Sequence, residues 1–526
     1  MRSGRQSGWQ AWGAAKIALI ALVVLSLLTW EAWSAPAETP RKGGVLRVAL
    51  DVELPSLDPQ RDTAYVTRSV TGTIVESLFT LDEKYRVIPD LAQDHKVSED
   101  GKRYEITLRR GVIFHNGSEM KSSYVVASLK RWLAISTPGR GLAKFITALE
   151  PKGNYAIEMT LSEPIGPLVL ASLAFSYQFA AIHPKTEIDR IGNDGVMTHP
   201  LGTGPYKFVE RRPDRYVKLQ RWAVYRKRNE NPSGYGGGKT AWVDEIIFST
   251  VPEASVRVAG VEAGDYDFAV AIPQDDYRRL RNHPQIEPVI QFQGSTDIAF
   301  NNKAGLFTDR RIRQAFVAAL DMEAIMKAAY GDSTFYRIDP SIMPKETAWW
   351  TDAGKESYNQ RSPERARRLL QEAGYRNQPV RWMTTKERTL DIAVVAKAQL
   401  ERGGFTIDLQ QLEWATLLSR RRNPQVWDIF QTGFSIQPDP TQHLIFDCNW
   451  GALWCDPRKD QMVEGLKREL NPQRRMQLWT ELQRYYWTEV PTVKIGDYFT
   501  LLIQRKHVKG YAGMNQQFFY NVWLAR

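Results

Sequence analysis

The 526-residue sequence contains only two cysteines and seven histidines, and both small numbers limit its chemistry. The H-E-x-x-H zinc motif requires two histidines four residues apart, and no pair of histidines in this sequence has that spacing. The sequence also lacks a G-x-S-x-G nucleophile elbow, a G-x-x-x-x-G-K-[ST] phosphate loop and a G-x-G-x-x-G dinucleotide turn. These absences argue against the common metalloprotease, serine hydrolase and nucleotide-binding classes. A glycosidase carboxylate pair has no fixed spacing, so a secreted hydrolase stays an alternative.

The sequence has no large excess of one charge. Its 70 Lys and Arg exceed its 59 Asp and Glu by 11, and the excess is spread along the chain. Nucleic-acid-binding proteins usually gather basic residues in one stripe, so we expect no nucleic-acid partner. With 43% hydrophobic and 25% charged residues, the composition is that of a globular protein. At about 150 residues per domain, the length allows two to four domains.

Only the N-terminus carries an apolar run that approaches a membrane span. Residues 17–28 are apolar, Arg2, Arg5 and Lys16 precede them, and Ala35-Pro36-Ala37 follows. A basic start, a short apolar middle and a small-x-small end are typical of a secretory signal peptide. We therefore predict export, with cleavage near residue 37. With its flanking residues the run reaches about 17 residues, so an uncleaved anchor that tethers the protein to the inner membrane is the alternative.

The two cysteines, Cys448 and Cys455, are seven residues apart. In an oxidising compartment such a pair can close a small loop as a disulfide worth about 2 kcal/mol. The alternative is a metal or redox site, but the pair lacks the C-x-x-C spacing and a nearby second ligand pair. We favour a structural disulfide.

Strand and helix patterns mix along the whole chain. Apolar residues alternate with polar ones over residues 104–108, which predicts a half-buried strand. Helical spacing begins after Thr308, which is placed to cap a helix, and Asp321 can cap the next one. Ser362 before Pro363 predicts the start of a further helix. The mixture is typical of an α/β or α+β fold.

Several short strings occur in the order found in one known family. The strings are Glu76–Leu78, Ile88–Ala92, Ser98–Gly101, Leu108–Gly117, Leu201–Tyr206, Phe300–Asn302, Asp309–Ala315 and Ala366–Tyr375. Each string alone is a weak signal, but their common order is specific. Over essentially the whole mature chain, the sequence resembles the family 5 extracellular solute-binding proteins, the dipeptide and oligopeptide receptors of bacterial ABC importers.

The resemblance implies an α/β fold of the periplasmic-binding-protein type, similar to type II and cluster C. Two lobes would be joined by hinge strands, and the first lobe would carry an extra subdomain. By this analogy residues 1–37 are the signal peptide and residues 38–291 form the first lobe, which residues 496–526 complete. Residues 292–495 would form the second lobe, and the ligand would lie in the cleft between the lobes.

The resemblance also points to ligand contacts in the second lobe. In relatives that bind peptides, an Asp in a G-W-x-x-D segment pairs with the ligand α-ammonium. The matching segment, Gly433–Pro440, has Phe434 at the aromatic position and Gln437 in place of that Asp. This departure weakens a peptide assignment. Asp439 is an alternative carboxylate, although Asp before Pro is also simply a turn former.

Other candidate contacts come from the same resemblance. The loop 384–388 would present Arg388, whose planar guanidinium suits a ligand carboxylate; the alternative is a surface Arg in a loop rich in charges. Cys448 and Cys455 match a cysteine pair in the second lobe of several relatives, which supports a disulfide. The remaining candidates are Thr63 and Tyr65 in the first lobe, with Trp382 and Trp414 as aromatic walls.

We therefore predict a periplasmic, monomeric solute-binding receptor rather than an enzyme. It would capture a peptide or peptide-like small molecule, without a cofactor or resident metal, and deliver it to ABC transporter permease subunits in the membrane. Within the family, an oligosaccharide, opine or chelated metal is the alternative ligand, favoured by Gln437 and the many tryptophans. His443 would be the obvious contact for a chelated metal. The alternative from another class is a secreted hydrolase.

Overall fold

In the part of the chain that the structure describes, segments with alternating apolar residues form strands and segments with helical apolar spacing form helices. The computed structural model describes residues 38–525, except Ser176, Glu387 and the side chain of Arg388. The predicted signal peptide, residues 1–37, lies outside the described residues.

The strands and α-helices have the following bounds. The strands are β1 (Val45–Leu50), β2 (Phe79–Leu81), β3 (Val87–Pro89), β4 (Ala92–Val97), β5 (Arg103–Leu108), β6 (Ile146–Pro151), β7 (Ala156–Leu161), β8 (Tyr206–Arg212), β9 (Tyr216–Arg221), β10 (Glu245–Thr250), β11 (Phe268–Ile272), β12 (Ile286–Phe300), β13 (Tyr336–Arg337), β14 (Pro379–Thr384), β15 (Thr406–Gln411), β16 (Ile429–Phe434), β17 (Thr492–Arg505), β18 (Val508–Lys509) and β19 (Trp523–Leu524). The helices are α1 (Tyr65–Thr71), α2 (Ser122–Ile135), α3 (Thr137–Ala143), α4 (Leu168–Leu173), α5 (Lys185–Ile191), α6 (Ala254–Ala263), α7 (Tyr277–Leu280), α8 (Arg310–Ala319), α9 (Met322–Tyr330), α10 (Pro363–Glu372), α11 (Arg388–Arg402), α12 (Trp414–Arg420), α13 (Pro457–Arg468) and α14 (Pro472–Glu489).

One large mixed sheet runs through the molecule in the order β15-β14-β16-β12-β17-β11-β1-β10-β9-β8, and β13 also pairs with β17. Its two central strands, β12 and β17, are 15 and 14 residues long. They pair antiparallel from Ile286 opposite Arg505 to Ala299 opposite Thr492. This long ladder joins the two halves of the sheet.

Two hydrophobic cores lie against this sheet, which gives the molecule two lobes. One core gathers side chains of β1, α2, β10 and the C-terminal segment, including Val48, Trp132 and Phe519. The other gathers side chains of α8, β14 and α14, including Phe316 and Trp479. Strand β17 contributes to both cores, so the same ladder supports both lobes.

A separate four-stranded sheet, in the order β4-β5-β7-β6, forms an extra subdomain, and its buried side chains are part of the first core. In β5, Tyr104, Ile106 and Leu108 are buried, while Arg103 and Thr107 are exposed. The strand predicted over residues 104–108 is therefore confirmed. The two-lobed α/β fold with an extra subdomain, as implied by the resemblance, is likewise confirmed.

Side-chain caps define where several helices begin. Asp321 accepts a hydrogen bond from the Ala324 amide at the start of α9, and Ser362 accepts one from Arg365 before α10. Both predicted caps are confirmed. The predicted cap at Thr308 is wrong by one residue, because Asp309 accepts from the Arg311 amide and α8 begins after it. A carboxylate competes well with a hydroxyl for this position.

Cys448 and Cys455 form a disulfide, with Cα atoms 4.6 Å apart, in the connection before α13. The prediction of a disulfide is confirmed. Among residues 38–525, no helix combines the length and apolar character that a bilayer crossing requires.

A buried ion pair ties α2 to the segment after β1. Nη2 of Arg131 donates to Oδ2 of Asp58 at 2.7 Å, and Nη1 donates to Oε1 of Gln60 at 2.8 Å. The side chains of Arg131 and Asp58 are 1% and 0% exposed. Removing one partner would therefore leave the other charge buried without compensation.

We expect Arg131→Met to lower the free energy of unfolding by about 3 to 5 kcal/mol, because the Asp58 carboxylate stays buried and unpaired. The matched control is Lys130→Met on the same helix, where an exposed ion pair with Glu150 should contribute less than about 1 kcal/mol. Urea denaturation of both variants checks this. Equal losses in the two variants would contradict it.

Candidate functional site

A cavity of about 580 Å³ lies between the two lobes, above the paired strands β12 and β17. One wall comes from Asp51, the start of α1 and residues 515–517. The opposite wall comes from residues 433–438, together with His443. A ligand in this cavity would therefore contact both lobes at once.

The first wall is built where strands end. Asp51 directly follows β1, and Val270 and Ala271 lie near the end of β11, which runs parallel to β1. Ligands of α/β proteins commonly bind beyond the carboxyl ends of parallel strands. Ala271 has a φ of 50°, a left-handed conformation that is costly for a residue with a Cβ. The carbonyl of Ala271 accepts a hydrogen bond from Arg257 at 2.7 Å, which helps to hold this conformation.

Asp51 offers the cavity a carboxyl group that is incompletely satisfied. Its Oδ1 atom is buried and has no hydrogen-bond partner within the described residues. Burial raises the pKa of Asp51, while hydrogen bonds from the backbone amides of Asp51 and Val52 and the charge of Arg257 oppose this increase. A buried carboxylate oxygen without a donor is unfavourable, so a cationic donor from a ligand would be stabilised here.

Arg68, on α1, is the cationic counterpart in the same wall. Its Nε donates to Oε1 of Gln516 at 2.9 Å, and its Nη1 donates to the carbonyl of Thr63 at 2.7 Å. Burial lowers the pKa of Arg68 to about 10. Within the described part of the chain, no carboxylate forms an ion pair with this guanidinium. Its hydrogen bonds therefore fix its direction but leave its charge available to an anion.

Tyrosines and amides supply most of the remaining polarity of the first wall. The hydroxyl of Tyr65 is buried and has no hydrogen-bond partner in the described structure. Asn515 accepts hydrogen bonds from the hydroxyls of Tyr85 and Tyr235, at 3.1 and 2.7 Å. These contacts hold residues 515–517 against the first lobe. The free hydroxyl of Tyr65 can bond to a ligand.

The second wall begins at the end of β16. The ring of Phe434 packs against His443 and Trp450, with centroids 4.4 and 5.1 Å apart. Burial lowers the pKa of His443 to about 3, so its imidazole is neutral near pH 7. His443 thus adds no charge to the cavity. Among the described residues, no group of three or more His, Cys, Asp or Glu side chains is arranged to hold a metal ion.

Four of the predicted contacts come together at the cavity. Thr63 and Tyr65 lie in the first wall, and Phe434 and Gln437 lie in the second. Gln437 is half-buried, and its side-chain amide has no hydrogen-bond partner among the described residues. The amide is therefore free to bond to a ligand.

The structure places three other predicted contacts elsewhere. Asp439 is buried and accepts two hydrogen bonds from Arg475, both 2.9 Å long, so it has the structural role of a turn and ion-pair residue. Trp382 is fully buried within β14, where its ring packs against Phe316. Trp414 begins α12 with 52% of its surface exposed and does not line the cavity. The fourth, Arg388, begins α11, and its side chain lies outside the described structure.

Reasoning from the sequence missed Asp51, Arg68 and Gln516. Asp51 could have been predicted, because it directly follows an apolar strand. In an α/β fold such strands are commonly parallel, and ligands bind beyond their carboxyl ends. Arg68 and Gln516 gave no signal, since 448 residues separate them and only the fold brings them together.

Comparison with known proteins agrees with this geometry. Residues 86–449 match the family model described as bacterial extracellular solute-binding proteins, family 5 Middle. A probable periplasmic-binding protein of a peptide ABC transporter from Sinorhizobium fredii is 26% identical, over 86% of this chain and 88% of the relative. The oligopeptide-binding protein AppA of Bacillus subtilis is 28% identical, over 78% of this chain and 77% of the relative.

Solved structures share the fold. HbpA2 from Haemophilus parasuis superimposes with a TM-score of 0.79 at 21% identity, covering 92% of this chain and 100% of that one. The periplasmic binding protein DppA from Helicobacter pylori, in complex with the peptide STSA, gives 0.74 at 23% identity, covering 92% and 99%. The family model spans more than half of the sequence and confirms the predicted resemblance. The chain belongs to family 5 of the bacterial extracellular solute-binding proteins.

Proposed function

We propose that this protein is a periplasmic receptor that captures a peptide or peptide-like solute and delivers it, as a monomer, to the permease subunits of an ABC importer. Its family consists of exported binding proteins, and curated relatives are named as peptide-binding proteins. In this proposal residues 1–37 direct export and are either removed or kept as a membrane tether.

The cavity charges carry the proposal. Asp51 and Arg68 line one cavity and neither has an ion-pair partner in the described chain, although each is half-buried. A ligand that brings both an ammonium and a carboxylate group would compensate both charges. A free peptide has these two groups at its ends. A neutral oligosaccharide would bring no charge to either group, so the electrostatics favour a peptide over it.

The size and polarity of the cavity fit a short ligand. Its volume of about 580 Å³ lies within the range of roughly 300 to 1,000 Å³ that is usual for small-molecule sites. Tyr65 and Gln437 offer free polar groups to peptide bonds from opposite walls, and Thr63 and Phe434 would add further contacts. A dipeptide or tripeptide with free ends is the ligand that we favour.

An opine is the second candidate for the same reason. Opines in which an amino acid keeps a secondary amine also combine a cationic nitrogen with a carboxylate. A chelated metal has less support, because His443 is buried in contact with Phe434 and Phe446.

Closure of the two lobes would couple binding to delivery. We propose that residues 38–291 with 496–526 form the first lobe and residues 292–495 the second. Both boundaries then fall inside the paired strands β12 and β17, which would act as the hinge. A ligand that contacts both walls binds the closed form more tightly and shifts the equilibrium toward it. The permease would recognise the closed form.

We expect short peptides with free ends to release or absorb heat on titration and to raise the melting temperature, since they bind only the folded protein. Neutral oligosaccharides should do neither. Isothermal titration calorimetry and thermal denaturation check this, and mass spectrometry should recover the peptide unchanged. Peptide that is steadily consumed would instead support the hydrolase alternative.

Dipeptides with a blocked N-terminus or C-terminus should distinguish the role of Asp51 from that of Arg68. Asp51→Asn should weaken a free dipeptide by about 1.5 to 3 kcal/mol but have little effect on its N-acetylated form, because the ammonium is then absent. Arg68→Gln should weaken the free acid by a similar amount and spare the C-terminal amide. Calorimetry with each ligand gives these values.

Matched controls are Asp265→Asn and Arg215→Gln, two exposed positions that do not line the cavity. Arg388→Gln tests the alternative carboxylate partner in the same series. If Asp51→Asn weakens the free and acetylated peptides equally, the ammonium role of Asp51 is refuted. If only Arg388→Gln discriminates the acid from the amide, Arg388 takes the role proposed for Arg68.

A further inference from the structure

A second hollow, of about 430 Å³, lies in the first lobe and shares no lining residue with the interlobe cavity. Residues 107–110, at the end of β5, form one side, and residues 226–230 form the other. We call it the basic hollow, because its lining contains Arg109, Arg110, Arg226, Lys227 and Arg228. The fold brings together two short basic segments that are 117 residues apart.

Hydrogen bonds from two buried arginines hold the floor of the basic hollow. Arg109 and Arg228 are 7% and 9% exposed, and both donate to the carbonyl of Asp90, at 3.3 and 2.9 Å. Arg109 also donates to the carbonyl of Arg226 at 2.5 Å, which fixes the opposite segment. The two buried guanidinium groups therefore hold both sides of the hollow in place without any ligand.

Nearby carboxylates partly compensate the positive charges of Arg109 and Arg228 in the floor. The buried carboxylates of Glu76 and Asp90 accept from Lys239 at 2.9 and 2.7 Å, and the nearby charge of Arg109 also favours their ionised forms. Arg228 donates to both carboxylate oxygens of Glu230, at 3.2 and 2.8 Å. Glu230 is the only carboxylate among the described residues that line the hollow, and it is already engaged.

The rim charges are not compensated. Arg110, Arg226 and Lys227 are exposed, and none of them has a carboxylate within ion-pair distance in the described chain. Arg110 lies 5.0 Å from the ring centroid of Tyr155, so it is directed by an aromatic face rather than by an anion. Nη1 of Arg226 packs against Gly111, so closely that a Cβ at position 111 would collide with it. Three like charges around one concave space create a positive potential that attracts an anion.

We propose that the basic hollow binds a phosphate ester. A phosphate group presents several charged oxygens to donors from different directions, which suits planar guanidinium groups on two opposing segments better than a single carboxylate does. The volume accommodates a headgroup or a small metabolite. The ester can belong to an anionic phospholipid at the membrane surface or to a soluble phosphomonoester, and the experiment separates these sources.

The full-length mature protein is tested with two probes. One is soluble glycerol 3-phosphate, followed by calorimetry, and the other is vesicles of phosphatidylglycerol and phosphatidylcholine, followed by cosedimentation. We expect binding to at least one probe, and none to vesicles of phosphatidylcholine alone. Binding to glycerol phosphate identifies a soluble ester, and binding only to the anionic vesicles identifies a lipid headgroup.

The variant Arg226→Gln/Lys227→Gln removes two exposed rim charges and should weaken binding about tenfold or more. The control Lys84→Gln/Arg215→Gln removes two exposed charges outside the hollow and should stay within about twofold of the wild type. Equal losses in both variants, or no binding to either probe, would overturn the proposal. So would tighter binding of a poly-aspartate peptide than of both phosphate probes. Unchanged melting temperatures show that the variants are folded.

Discussion

The antiparallel ladder between β12 and β17 is the constraint on which the rest of the structure depends. It is the longest pairing in the described sheet, and both cores are built against it. Because side chains alternate between the faces of a strand, its register decides which residues face the cavity and which enter a core. Over residues 500–503 the side chains alternate in this way, because Thr500 and Leu502 line the cavity, while Leu501 and Ile503 are buried in the second core. A shift by one residue would exchange these sets.

The interlobe cavity combines a rigid frame with unsatisfied charge. Arg68 is oriented by its hydrogen bonds to Gln516 and Thr63, so its guanidinium needs little reorganisation when a ligand arrives. The partial burial of Asp51 and Arg68 disfavours the charged form of each group. In the proposed function, charge pairing with Asp51 and Arg68 would supply much of the binding energy, and the largely apolar second wall would add selectivity through its shape.

Local patterns in the sequence predicted local structure well. Alternation over residues 104–108, the caps at Asp321 and Ser362 and the nearby cysteines depend on neighbours along the chain, and the structure confirms them. The cavity could be predicted only in part. Trp382 carries the same apolar signal whether it faces a ligand or a core, and the role of Arg68 depends on a contact with a residue far along the chain.

The contact between α1 and residues 515–517 has a consequence for the timing of assembly. Arg68 donates to Gln516, and the amide of Gln516 donates to the carbonyl of Tyr65, across about 450 intervening residues of the chain. During synthesis and passage across a membrane, α1 emerges before residues 515–517. The contact between them cannot form until the C-terminal segment has also emerged. A chain still being threaded therefore has no finished ligand wall, so solute capture begins only after the polypeptide has been fully released.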